Sequence, residues 1–143
     1  MKRIRIYGCK NKRLKEKIRS ATLYFRDVLL PRKRKLDIVV CVQNDLTEKY
    51  GVFGECWEGD TPHNFKLCID GAISEKSILE TVAHEMVHVR QFATGQLKYL
   101  SKGDKWRGKV YSTKTPYSRQ PWEREAKRLE VSLYSEWVNS INR

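Results

Sequence analysis

Residues 74–95, SEKSILETVAHEMVHVRQFATG, limit the fold more than any other stretch of the chain. Apolar residues recur through them at helical spacing. Ser74 or Ser77 can cap the helix, Ser77 with Glu80 fits a capping box, and Gly95 can end it. Ile78, Leu79, Val82, Ala83, Met86, Val87, Val89 and Phe92 make the helix apolar around much of its circumference. Such a helix needs cover on several sides. It also carries His84, Glu85 and His88, and burying two imidazoles and a carboxylate is costly unless something compensates them.

A metal ion is the simplest compensation. Residues i and i+4 lie one turn apart on one helix face, so His84 and His88 project the same way. Both can reach one tetrahedral Zn²⁺ at roughly 2.0–2.1 Å. Glu85 lies about 100° round the helix, beside such a metal rather than on it. There it can take a proton from a water on the zinc, which is the physical content of the HExxH pattern. Two satisfied core histidines beside a paired glutamate are the plain alternative. The full His-Glu-x-x-His set on a capped, apolar helix favours the metal, and one zinc per chain is expected.

Catalytic zinc takes a third protein ligand and keeps a position open. His63, the remaining histidine, lies in a turn signature, TPHN. WEREA (122–126) offers Glu123 and Glu125 on a later helix. With Ala126 at 0° and steps of about 100°, Trp122, Leu129, Leu133 and Trp137 gather on one apolar face. Glu123 falls near +60°, at the edge of that face, and Glu125 near −100°, pointing away. Glu123 is therefore the expected third ligand, Glu125 is expected to meet solvent or Arg128, and Glu130 is the reserve.

The rest of the chain supplies short strands and two more helices. KRIRIYG alternates charge and isoleucine and reads as a strand. A helix capped by Asn11 runs to about Leu30, where Pro31 stops it. LDIVVCVQ (36–43) is the best strand, a mixed loop follows, and GVFGECWEG (51–59) suggests a short strand with bends. FKLCID (65–70) alternates as a half-buried strand. Residues 96–120 read as loop with a short strand or hairpin around Trp106 to Tyr111, Trp106 being a packing anchor. A final helix starts at Pro121. The expectation is one α+β domain over 1–143: an N-terminal helix and a small mixed sheet, with an edge strand packed on the HExxH helix, and a C-terminal helix.

Charge is unevenly placed. Residues 1–35 hold 14 Lys and Arg against Glu16 and Asp27, so the whole formal charge of +12 lies there. Arg32, Lys33, Arg34 and Lys35 form the densest cluster and are candidate polyanion contacts, nucleic acid being the partner that charge suggests. A solvated, solubilising face is the plainer reading. Cys9, Cys41, Cys56 and Cys68 form no CxxC pair and read as reduced, mostly buried cysteines. No apolar run reaches a membrane span and the N-terminus lacks a signal core. A cytoplasmic monomer is expected.

HEMVH followed by a helix beginning PWEREA resembles the minimal gluzincin-like zinc peptidases, including SprT-like proteins and small phage-encoded metallopeptidases. In them the third ligand looks like the first Glu of an ExxA-type motif, matched here by Glu123-Arg124-Glu125-Ala126. FKLCID resembles the family's edge strand, which typically pairs with an extended substrate. GECW (54–57) only loosely resembles the Trp-Gly-Ser-Cys element of SprT-like proteins. The resemblance covers roughly residues 50–130 and implies a zincin-like fold and peptide-bond hydrolysis. Zinc held by His84, His88 and Glu123 would activate a water, with Glu85 as general base. Tyr117, Tyr111 and Arg119 precede the last helix and are candidates for stabilising the oxyanion, Tyr117 first among them. Two rival readings are a nucleic-acid-associated zinc protein and a zinc amidase acting on a non-protein substrate.

Overall fold

Ile4 and Ile6 alternate with arginines, and that alternation divides the first strand, β1 (Arg3–Tyr7), into a buried and an exposed side. The computed structural model describes residues 3–32 and 35–142. After β1 come α1 (Lys12–Leu29), β2 (Asp37–Gln43), α2 (Leu46–Tyr50), β3 (Gly54–Glu58), β4 (Asn64–Asp70) and α3 (Glu75–Ala93). A small sheet follows, β5 (Leu97–Leu100), β6 (Gly103–Trp106) and β7 (Lys109–Tyr111). A 3-10 turn (Tyr117–Arg119) leads into α4 (Pro121–Ile141).

The main sheet has the order β1-β2-β4-β3. β1, β2 and β4 are parallel, and β3 runs antiparallel to β4 at one edge. The register places Ile6, Ile38, Val40, Phe65, Leu67 and Ile69 on one face, and all six are buried. α1, α3 and α4 all pack together on that side, with α3 in the middle. One continuous cluster of buried side chains joins the sheet to these helices and to Leu97 and Trp106 of the small sheet. The fold is α+β, as the pattern of elements suggests.

Local chemistry explains the boundaries. The Asn11 side chain accepts from the Leu14 amide and starts α1. Ser74 accepts from the Ser77 amide and starts α3; the expected Ser77–Glu80 box does not form, because Ser77 already lies inside the helix and meets Ser74 through its hydroxyl. Between β6 and β7, Arg107 and Gly108 both take positive φ (47° and 88°), the backbone that a tight hairpin demands.

Two sequence expectations are corrected. FKLCID is not an edge strand. Phe65, Leu67, Cys68 and Ile69 are all buried, and a strand apolar on both faces belongs inside a sheet. GECWE, as β3, forms the edge instead. The mixed loop after β2 also contains a helix, α2. Asp70 holds its first turn by accepting from the Thr47 amide at 2.9 Å and from the Thr47 hydroxyl. That partnership spans 23 residues of sequence, so no local pattern announces it.

Candidate metal centre

Three elements build the centre. α3 carries His84, Glu85 and His88 on the side facing α4 and β3. α4 enters with Pro121 at its start, and its orientation is fixed by the residue after it. The Trp122 ring packs against Trp106 and Tyr111, with centroids at 6.4 and 5.6 Å. The small sheet thus acts as a clamp that sets which way Glu123 points. At the far end the Trp137 indole donates to the Ser20 hydroxyl of α1 at 3.0 Å.

Glu123 Oε1 lies 2.9 Å from His84 Nε2 and 3.0 Å from His88 Nε2. The Tyr117 hydroxyl donates to the same oxygen at 3.1 Å. His84, Glu85 and His88 also bring one ligand-type atom each within 4.8 Å of one another. The structure therefore gathers two imidazoles and two carboxylates, and Glu123, bonded to both Nε2 atoms, is the better third ligand. Glu85 is 5% exposed and forms no hydrogen bond to either ring.

The outer ring nitrogens are engaged too. His84 Nδ1 is 3.2 Å from Glu130 Oε1, and His88 Nδ1 is 2.7 Å from Gln91 Oε1. Gln91, wholly buried, donates from Nε2 to the Trp122 carbonyl at 3.0 Å and to Glu125 Oε1 at 3.2 Å. Those two acceptors fix which end of the amide faces His88. His88 Nδ1 is thereby the donor, so that when Nε2 gives up its proton its lone pair faces the centre.

Electrostatics follow from this packing. Burial would lower the His84 pKa, but hydrogen bonds to Glu123 and Glu130 prevail and raise it to about 10. His88 is raised for the same balance of reasons, through Glu123 and the charge of Glu85. Burial works against the Glu123 carboxylate, yet the two imidazoles hold it well below the usual carboxylate range. Glu85 moves the other way: burial pushes it up to about 7 against the opposing pull of His88 and His84. Burial, then the nearby Glu123 charge, raises Tyr117, so its hydroxyl stays a donor at neutral pH.

This donor set fits zinc. In the protein alone, protons on both Nε2 atoms satisfy one carboxylate oxygen, which is where a cation would replace them. Tetrahedral zinc with bonds of about 2.0–2.1 Å sets its ligand atoms roughly 3.3–3.4 Å apart. Separations of 2.9 and 3.0 Å would need to open by only a few tenths of an ångström.

The centre lies in a cleft of about 910 Å³ that runs along the free edge of β3. Thr81 and Val131 lie on its walls at one end, Phe92 and Tyr99 at the other, and Glu55, Glu123 and Glu130 make it acidic. Cys56 faces it from β3, its thiol pushed up by burial and by the neighbouring carboxylates, so it is a neutral packing residue.

Of the other sequence candidates, His63 is exposed in the turn before β4 and Arg119 is exposed in the 3-10 turn. Tyr111 packs edge-on against Trp122. Glu125 is the clearest correction: it meets neither solvent nor Arg128. It is 10% exposed and paired with Arg90 at 3.3 Å and Arg107 at 3.1 Å. The helical wheel treats α4 alone and cannot see the β6–β7 turn folding over that side. Gln91 was missed altogether, although it lies three residues beyond His88, the spacing that places two side chains together on a helix. Arg32 and Lys35 are exposed, while Lys33 and Arg34 lie outside the described residues.

No known protein-family model matches the chain, and neither the curated proteins nor the solved structures contain a significant match. Among the described residues, no helix is long and apolar enough to cross a membrane.

Proposed function

We propose that this protein is a zinc-dependent peptidase of the gluzincin-like, SprT-like kind. The observation that carries the reading is that Glu123 Oε1 lies within 3.0 Å of both His84 Nε2 and His88 Nε2, with Glu85 buried on the same helix. The cleft along the β3 edge supports it, since an extended peptide could lie there with its backbone beside an unpaired strand. Structural zinc sites are usually closed by four Cys or His ligands. Two histidines and one glutamate make a less natural structural site than a catalytic one.

In this reading His84, His88 and Glu123 hold the zinc. When bound, zinc supplies Lewis acidity, lowering the pKa of a water and polarising the scissile carbonyl. Glu85, with its affinity for protons raised by burial, takes the water's proton and passes it to the leaving amine. The Tyr117 hydroxyl, already within the site, donates to the developing oxyanion. Glu130 and Gln91 hold the two rings in place.

The test is zinc content together with hydrolysis of a mixed fluorogenic peptide library by wild type and Glu85→Gln. About one zinc per chain in both proteins, with cleavage by the wild type only, is expected. Equal cleavage by both would refute Glu85 as the base. Zinc in both with no peptide cleaved would favour a zinc amidase acting on a non-protein substrate.

A further inference from the structure

Sheets of parallel strands are ordinarily covered on both faces. Here α1, α3 and α4 crowd one side of β1-β2-β4, and α2 reaches the other only at its Asp70 end. The strand register sets Arg5, Val39, Lys66 and Trp57 in one row across that outer face. The next row starts with Tyr7 and continues through Cys41. Tyr7 and Trp57 are about half exposed, at 52% and 55%. Arg3, Arg5 and Lys66 are exposed, and none forms an ion pair with another described residue.

We propose that this outer sheet face, centred on Tyr7, Arg5 and Lys66, binds single-stranded nucleic acid. The argument is one of complementarity. An unpaired strand offers flat bases and a regularly charged backbone, and a sheet carrying exposed rings beside cations answers both. Val39 and Cys41, both half-buried, give the platform an apolar floor between them. Arg3 and Arg5 of β1 bring basic charge to this side of the sheet, whereas the acidic cleft lies at the opposite edge. Asp70 also points to the outer face but is buried and engaged by Thr47 and Ala72, which leaves two acids to consider. Asp37 stands beside Arg3, and Glu55 accepts from the Trp57 indole at 3.2 Å, which places the Tyr7 side of the face as the primary contact. A duplex hides its bases and would leave the rings unused, so the single strand is the better fit. The Tyr7 side of this face lies at the sheet edge opposite the candidate metal centre, whereas Trp57 and Glu55 also line the cleft.

The test is fluorescence anisotropy with a labelled oligothymidylate of twelve nucleotides, titrated with the full chain. A labelled duplex of the same length and vesicles of mixed phosphatidylserine and phosphatidylcholine are run beside it. The oligonucleotide is expected to bind. Tyr7→Ala is expected to weaken it roughly fivefold to a hundredfold, and Arg5→Ala to lower the slope of log affinity against log salt by about 0.7. Tyr7→Phe keeps the ring and is expected to bind like the wild type, which separates stacking from misfolding. Undetectable oligonucleotide binding, binding indifferent to Tyr7→Ala, duplex binding of equal strength, or binding to the vesicles alone would each overturn the proposal.

Discussion

Replacing Gln91 by leucine tests how the candidate metal centre is held. Gln91 is fully buried and makes three bonds: to His88 Nδ1 at 2.7 Å, to the Trp122 carbonyl at 3.0 Å and to Glu125 at 3.2 Å. Leucine fills similar space and makes none of them. Each bond is worth about 0.5–1.5 kcal/mol net, and the new apolar burial offsets part of the sum, so the fold is expected to lose about 1–3 kcal/mol. The effect on metal is separate. Without its acceptor the His88 ring can rotate and change tautomer, and losses of this kind cost about 10–100-fold in metal affinity, or roughly 1.4–2.7 kcal/mol. Gln91→Glu separates the two. Its carboxylate still accepts from His88 Nδ1, but it lacks the amide donor and sits against Glu125. It should hold zinc nearly as well as the wild type while being less stable. The assays are competition for zinc against a chromophoric chelator and urea unfolding of the metal-free protein. Leucine at 91 with zinc affinity within about twofold of the wild type would refute the claim that Gln91 orients His88.

Glu123→Ala is expected to lose most of its zinc on dialysis against a weak chelator, whereas Glu125→Ala should retain more; equal retention in both would exclude Glu123 as the third ligand. Zinc binding at pH 7 should release protons, because His84 titrates at about 10 and His88 is also raised in the protein alone. Calorimetry in two buffers of different ionisation enthalpy measures this, and release of none would contradict the cluster described above. The sign for stability follows: a raised histidine stabilises the metal-free fold below its unfolded value of 6.5 and loses that contribution as pH rises towards about 10. Chemical unfolding of the metal-free protein across that window should show the decline. Gly8→Ala should unfold far more easily than the wild type, since Gly8 has φ +80° and its added carbon would meet the Val42 carbonyl oxygen; a melting temperature unchanged by the substitution would count against that strand-end geometry.

Much of the architecture was legible because it rests on local rules. Period-two alternation marked β1 and β4, Asn11 and Ser74 marked two helix starts, and Pro121 marked the third. That His84, His88 and Glu123 come together was legible from the i, i+4 spacing of the histidines and from the face of α4 that carries Glu123. What stayed hidden depends on partners far along the chain. Glu125 is covered by Arg107 from a β-turn, 18 residues away. β3 rather than β4 became the edge because the whole apolar surface of β4 needs neighbours on both sides. Gln91 was hidden for a different reason: a buried glutamine at the end of an apolar helix carries no signal until its acceptors are known.

The first and last long helices are joined where the Trp137 indole meets Ser20, and this has a consequence for when the centre exists at all. His84 and His88 belong to the middle of the chain, but Glu123 arrives with α4 and is aimed by a helix whose far end docks on α1. While the chain is being made, the two imidazoles emerge well before their carboxylate partner. A ribosome-bound intermediate, or a fragment cut short before residue 121, holds an incomplete centre. Completion of the candidate centre is thus tied to completion of the molecule, so whatever chemistry it supports waits until the last helix is seated.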